Sequence, residues 1–260
     1  MTTDFVPDRL HVVVGSPWKD AVISLLDPRS KYLPWPAVSD ARRGDGVVVI
    51  LDCEPRLVLI EVGLVDDVGG VEVAIAGLRS SMVDLSSRVG AGLDDVRGSY
   101  ALFEGDAAAE LLSALDDHRF GAQAMDRFGG SSMAAARVLL KSDGVCSGCG
   151  NALNLRGEDA RETVSIWTVE APKEPEHEPV DWPAVLCPQC QTTMHDGGFA
   201  TFLDYRFARH PACPRCVGRR TQRALFGMLS SFDDIEPWYD PRGCCVTHDI
   251  WTCTLCGHRW

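Results

Sequence analysis

The chain has 260 residues, 45% of them hydrophobic, and a formal net charge of -12 at pH 7. That length accommodates two domains and a sizeable core, while the acidic balance excludes a protein that coats nucleic acid indiscriminately. No apolar run approaches the ~20 residues of a membrane span, and the opening residues are polar and acidic rather than a signal stretch, so a cytoplasmic protein with reduced thiols is expected.

In chain order, residues 10–15 (LHVVVG) form a short apolar run ending at glycine, the pattern of a buried strand. Ser16-Pro17 reads as a cap and first helical residue, with a helix over 18–26 that stops at Asp27-Pro28. Residues 31–36 (KYLPWP) are too proline-rich for regular structure and predict an aromatic loop carrying Tyr32 and Trp35. Two β-branched runs, 46–53 and 56–65, flank Glu54-Pro55 as a hairpin, and 71–76 alternates as another strand. Residues 105–115 are Ala/Leu-rich, with Asp106 and Glu110 placed where a helix dipole favours acids. This succession predicts an α+β domain over 1–118, built on a small curled sheet or barrel.

The run 41–50 (ARRGDGVVVI) followed by 55–62 (PRLVLIEV), after a strand, a helix and an aromatic loop, resembles an EVE domain of the PUA-like superfamily. The segments LRSS at 78–81 and VRGSYAL at 96–102, followed by a closing helix, are similar to that family's second half. The resemblance implies a reader that holds a modified base, flipped from DNA or exposed in RNA, in an aromatic-walled pocket. A base taken out of its stack needs π-faces at its sides and polar groups at its edge. On this resemblance Trp18, Tyr32 and Trp35 supply the walls, and Ser16 and Asp52 read the edge. A carboxylate only accepts hydrogen bonds, so Asp52 favours an amino group such as that of a modified cytosine.

Residues 119–136 form a charged, Gly-rich linker, within which Ser131-Ser132 caps a short Ala-rich helix running to Leu140. Beyond it lie four C-x-x-C pairs: Cys146/Cys149, Cys187/Cys190, Cys213/Cys216 and Cys253/Cys256. Each such turn aims two thiolates at one tetrahedral ion, so four turns predict two structural Zn2+ sites. The spacings within the first two pairs and within the last two are nearly equal, which makes sequential pairing simplest. A cross-braced pairing stays open, at a greater loop-closure cost.

Residues 137–205, with a knuckle at Cys146-Ser-Gly-Cys149, a hairpin-length segment and DWPAVLCPQC at 181–190, resemble an HNH nuclease module of treble-clef type. The resemblance implies a histidine acting as general base on water, with Mg2+ or another divalent ion on the scissile phosphate. The sequence departs from that pattern. The hairpin reads VSIWTV at 164–169 without a histidine, the asparagine position falls at Asp181-Trp182, and Gln191 follows the second knuckle. His195 stands where a metal-binding histidine of the family sits, and His177 in the acidic loop 171–183 is a displaced candidate base. Residues 206–260 look like a zinc ribbon. Cys244 and Cys245 read as packing residues, and His248 and His258 as surface residues, His258 also being an alternative ligand.

Charge is unevenly placed: residues 1–118 carry 10 Lys/Arg against 20 Asp/Glu, leaving 15 against 17 for 119–260. Arg206, Arg209, Arg215, Arg219, Arg220 and Arg223 fall in a run without an acid, which predicts a phosphate-contacting strip. The assembly is similar to modification-dependent (type IV) restriction endonucleases acting on modified duplex DNA. The alternatives are a non-catalytic zinc adaptor for nucleic acid or a protein partner, and an RNA-modification reader. The oligomeric state stays open, a homodimer included.

Overall fold

The computed structural model describes residues 7–27, 40–64, 82–84, 93, 96, 98–117, 127–157, 159–170, 179–227 and 235–260. Its first half is a five-stranded sheet in the order β4-β3-β2-β1-β5. The strands are β1 (Arg9–Gly15), β2 (Gly46–Leu51), β3 (Leu57–Leu64), β4 (Met82–Asp84) and β5 (Tyr100–Glu104). β1 and β2 run parallel, with Leu10 opposite Gly46 and Gly15 opposite Leu51, while β3 returns antiparallel to β2 as the expected hairpin. Parallel neighbours need a crossover, and this one carries α1 (Trp18–Leu26).

The central strands read as continuous Val/Ile runs because both of their faces are covered. On one face Val13, Val47, Val49, Leu51, Leu57 and Leu59 join Ala21, Val22, Ile23 and Leu25 of α1. On the other, Leu10, Val12, Val14, Val48, Ile50 and Val58 meet Ala108, Leu111 and Leu115 of α2 (Asp106–Asp117). Of the expected curled sheet or barrel, the barrel is corrected accordingly. Among the described residues the sheet is open, because a helix on each face buries it without closure. The strand expected at 71–76 lies outside the described residues.

α3 (Ser132–Lys141) is capped as expected, Ser131 Oγ accepting the Ala134 N–H at 3.1 Å. Its Ala136, Val138, Leu139 and Leu140 enter the same apolar core as α1. Polar ties reinforce that junction: Ser132 Oγ accepts the Glu54 N–H at 2.7 Å, and Lys19 donates to the Val164 carbonyl at 2.7 Å. Arg161 pairs with Asp20 at 3.2 Å, and Arg156 with Asp27 at 2.7 Å. Next come α4 (Ala160–Thr163) and the antiparallel pair β6 (Ser165–Trp167) and β7 (Ala184–Leu186), followed by α5 (Pro188–Asp196) and α6 (Phe202–Ala208). A last sheet, ordered β10-β8-β9, contains β8 (Thr221–Phe226), β9 (Tyr239–Gly243) and β10 (Trp251–Cys253). Trp238 carries the core into this sheet, packing edge-on against Phe202 and Trp182. Among the described residues no helix is long and apolar enough to cross a membrane.

Candidate metal centres and base-reading residues

The cysteines pair sequentially. Cys146, Cys149, Cys187 and Cys190 converge in one group and Cys213, Cys216, Cys253 and Cys256 in another, the sulfurs within 4.8 Å of one another. In the first group Cys149 and Cys187 sulfurs are 4.0 Å apart; in the second, Cys213–Cys256 is 3.7 Å and Cys216–Cys253 is 3.5 Å. Sulfurs about 2.3 Å from a tetrahedral zinc stand about 3.8 Å from each other, so both groups fit a structural Zn2+.

Three of the four turns share the whole of one backbone device, and the fourth shares its first bond, Gln191 N–H donating to the Cys187 carbonyl at 3.0 Å. The N–H four residues after the leading cysteine donates to that cysteine's carbonyl: Gly150 to Cys146 at 2.8 Å, Val217 to Cys213 at 2.9 Å, Gly257 to Cys253 at 2.9 Å. The leading cysteine's own N–H donates to the next carbonyl on, that of Asn151, Gly218 and His258 respectively. This curls each turn around its sulfurs and requires a left-handed residue, with φ of 76° at Gly150, 61° at Val217 and 68° at Gly257. The fourth pair differs: Cys187 precedes α5 and Cys190 lies in its first turn, so a helix start replaces the curl. Gly148 lets the first curl approach that helix, since a Cβ there would lie 2.9 Å from the Cys190 sulfur.

Crowded thiols cannot all ionise without a cation. Burial pushes Cys190 up to about 12, with the neighbouring Cys146 and Cys187 adding to the shift. In the second group burial raises Cys213, but N–H donors of Cys216 and Arg215 and the thiols of Cys256 and Cys216 outweigh it and bring it to about 7. For Cys216 the Gly218 N–H favours the thiolate, yet its bonds with Cys253, Cys256 and Cys213 drive it up to about 12. A divalent ion removes this conflict by stabilising every thiolate at once. Cys244 and Cys245 are exposed rather than packed. The His258 ring stacks on Trp260 at 5.8 Å and joins neither four-cysteine group.

Of the expected base-reading set, Ser16 and Asp52 come together. They follow the adjacent carboxyl ends of β1 and β2, and Ser16 Oγ donates to Asp52 Oδ2 at 3.1 Å. That bond, rather than a helix cap, occupies the Ser16 hydroxyl; α1 begins after Pro17 with no side-chain cap. Arg56 stands 3.4 Å from the other Asp52 oxygen. Trp18 lines a separate open groove of about 340 Å³ with Lys19, Glu162, Ser165 and Gln191, at the seam between α1 and the first zinc unit. Burial, and then the Arg161 charge, lower the Lys19 pKa there. Tyr32, Trp35 and His177 lie outside the described residues. His195 is 88% exposed at the end of α5, in contact with Asp196 at 3.2 Å.

The arginine strip is not a row of free cations. Arg206 is half-buried, donating to the Gly148 carbonyl at 2.9 Å and lying over the Trp238 ring at 5.3 Å; burial lowers its pKa. Arg209 bonds the Tyr205 hydroxyl at 3.2 Å, and Arg219 the Ala208 carbonyl at 3.0 Å. Arg220 finds Asp204 at 3.2 Å, an acid two residues ahead of the acid-free run. Arg215 and Arg223 are exposed.

Sequence reasoning missed a buried polar network. His11, 0% exposed in β1, contacts Asp45 at 2.8 Å through Nε2 and the Tyr100 hydroxyl at 2.9 Å through Nδ1. Asp45 also accepts the Arg42 N–H at 2.8 Å and Arg9 at 2.9 Å. Burial opposes its ionisation, but His11, the Arg42 N–H and Arg9 prevail and hold its pKa below the usual carboxylate range. The available signal was a histidine inside an apolar strand run. Asp181, at the asparagine position of the HNH pattern, is structural: it accepts from Trp167 Nε1 at 2.7 Å and from the N–H groups of Trp182 and Leu203 at 2.8 and 3.0 Å. Compared with protein-family models, curated proteins and solved structures, the chain matches none of them.

Proposed function

We propose that this chain reads a modified base, with modified cytosine in duplex DNA as the ligand, and that its zinc units are a binding platform rather than a nuclease. The observation that carries the reading is the Ser16–Asp52 pair, joined at 3.1 Å beyond the carboxyl ends of two parallel strands. Crevices outside such strand ends are where parallel sheets bind ligands. Asp52 is 42% exposed at its side chain and keeps acceptor capacity for an exocyclic amino group.

The absence of cleavage is supported by the HNH positions themselves. Asp181 is committed to three internal hydrogen bonds, and His195 stands exposed beside Asp196 at the end of α5. Among the described residues these positions do not bring a general base and a metal-binding histidine together, as metal-assisted hydrolysis requires.

The test is a titration of the full chain against matched duplexes with and without hydroxymethylated cytosine. The parent should prefer the modified duplex. Asp52→Asn, which presents a donor as well as an acceptor to the exocyclic amino group, should weaken binding to the modified duplex about tenfold. Equal binding of both duplexes by the parent would refute base reading. Nicking of either duplex on addition of Mg2+ would refute the non-cleaving part and return the nuclease reading.

A further inference from the structure

Among the described residues two non-glycine positions have positive φ: Asp143 at 58° and Val217 at 61°. Aspartate tolerates that region, whereas a β-branched side chain there is strained. The equivalent residues of the other two curled turns are Gly150 and Gly257, so the backbone device itself asks for glycine. Internal packing does not account for valine either, because Val217 is 76% exposed. Strain kept at an exposed apolar residue points outward, to something that the side chain touches.

A second residue shares the place. Leu255, on the opposing turn, is 64% exposed, and its Cδ1 lies 2.5 Å from where a Cβ on Gly218 would stand. The tip of the second zinc unit therefore presents two neighbouring apolar side chains, Val217 and Leu255, one from each turn. The two turn segments, 211–220 and 253–260, contain Arg215, Arg219, Arg220 and Arg259 and no acid. Arg215 is exposed, and Arg219 uses one guanidinium nitrogen on Ala208, leaving further donors.

We propose that this tip presses into a groove of duplex DNA, Val217 and Leu255 against sugars and base edges, with Arg215 and Arg219 on the flanking phosphates. An apolar wedge flanked by cations matches a groove walled by apolar sugar faces and rimmed by phosphates. The proposal rests on the nucleic-acid reading above and adds an anchoring surface that is indifferent to the modification.

The test uses the full zinc-loaded chain and the same two duplexes. Val217→Gly should relieve the backbone and raise Tm by about 2–4 °C. It should also weaken binding to both duplexes by roughly tenfold, the loss of one buried aliphatic contact. The ratio between the duplexes and the slope of log affinity against log salt should stay unchanged. Leu255→Ser should weaken binding similarly, whereas Arg215→Ala should reduce the salt slope by about one. Parent-like affinity in Val217→Gly and Leu255→Ser, with the parent still preferring the modified duplex, would overturn the anchoring tip and leave base reading standing. No duplex binding by the parent would overturn both. If the parent instead binds a fluorescent acidic amphipathic peptide, and Val217→Gly abolishes that while duplex binding persists, the tip belongs to a protein partner and the proposal falls.

Discussion

Arg206 shows how a side chain's surroundings overrule its charge. Its guanidinium closes the first metal turn by bonding the Gly148 carbonyl and covers Trp238. Arg206→Ala should therefore cost about 1–3 kcal/mol of stability, seen as a lower denaturation midpoint in urea, whereas a free phosphate-binding arginine would leave the midpoint unmoved. Gly148→Ala should accelerate zinc loss to a chelator, because the new methyl meets the Cys190 sulfur at 2.9 Å. Asp45 carries a pH prediction. Its folded pKa lies below its unfolded value, held there against burial by His11, the Arg42 N–H and Arg9. Its contribution is complete above the unfolded pKa of about 3.9 and is lost as pH falls through the folded one. Asp45→Asn should thus lower stability near neutrality and flatten the acid limb of the stability profile; an unchanged limb between pH 5 and 2, roughly the window for a depressed carboxylate, would refute this.

At the scale of elements, metal and helix are coupled in α5. Cys187 is its N-cap and Cys190 sits in its first turn, while Met194 on the same helix is buried in the core. Ion binding and burial of this helix are therefore one event. Cys187→Ser should halve the zinc content and unfold the first zinc unit, whereas elemental analysis of the parent should return two zinc ions per chain. α3 makes a smaller and independent statement: Ser131→Ala removes its cap and should cost about 1 kcal/mol without altering zinc content.

Across the whole molecule, the apolar core ignores the division between the sheet and the first zinc unit. Ala21, Val22 and Ile23 of α1 share it with Leu139 of α3, Val185 of β7 and Phe202 of α6. A fragment ending at residue 118 would uncover that face of α1, so it should be far less stable than the full chain and precipitate or bind a hydrophobic dye. Chelation of zinc should likewise lower the thermal transition of the sheet along with that of the zinc units. Two well-separated calorimetric transitions, the first alone sensitive to chelator, would contradict a shared core.

The two four-cysteine groups were legible in the sequence because a C-x-x-C turn is local chemistry: spacing alone directs both sulfurs to one point. The strands β1, β2 and β3, the helices α1 and α3 and the Ser131 cap were legible for a similar reason, since hydrophobic runs, prolines and capping residues act within a few positions. What only the tertiary structure decided is which partners distant residues find. The Leu10–Gly15 run announces a strand but not that helices will cover both its faces. The acid-free run from Arg206 to Arg223 does not reveal Asp204 or the Gly148 carbonyl as partners. His11 and Asp45 are 34 residues apart, and their contact exists because β1 and β2 align in parallel, Leu10 against Gly46. Charge and hydrogen-bonding capacity are properties of a residue, but their effect depends on burial and on neighbours that the chain brings in from elsewhere.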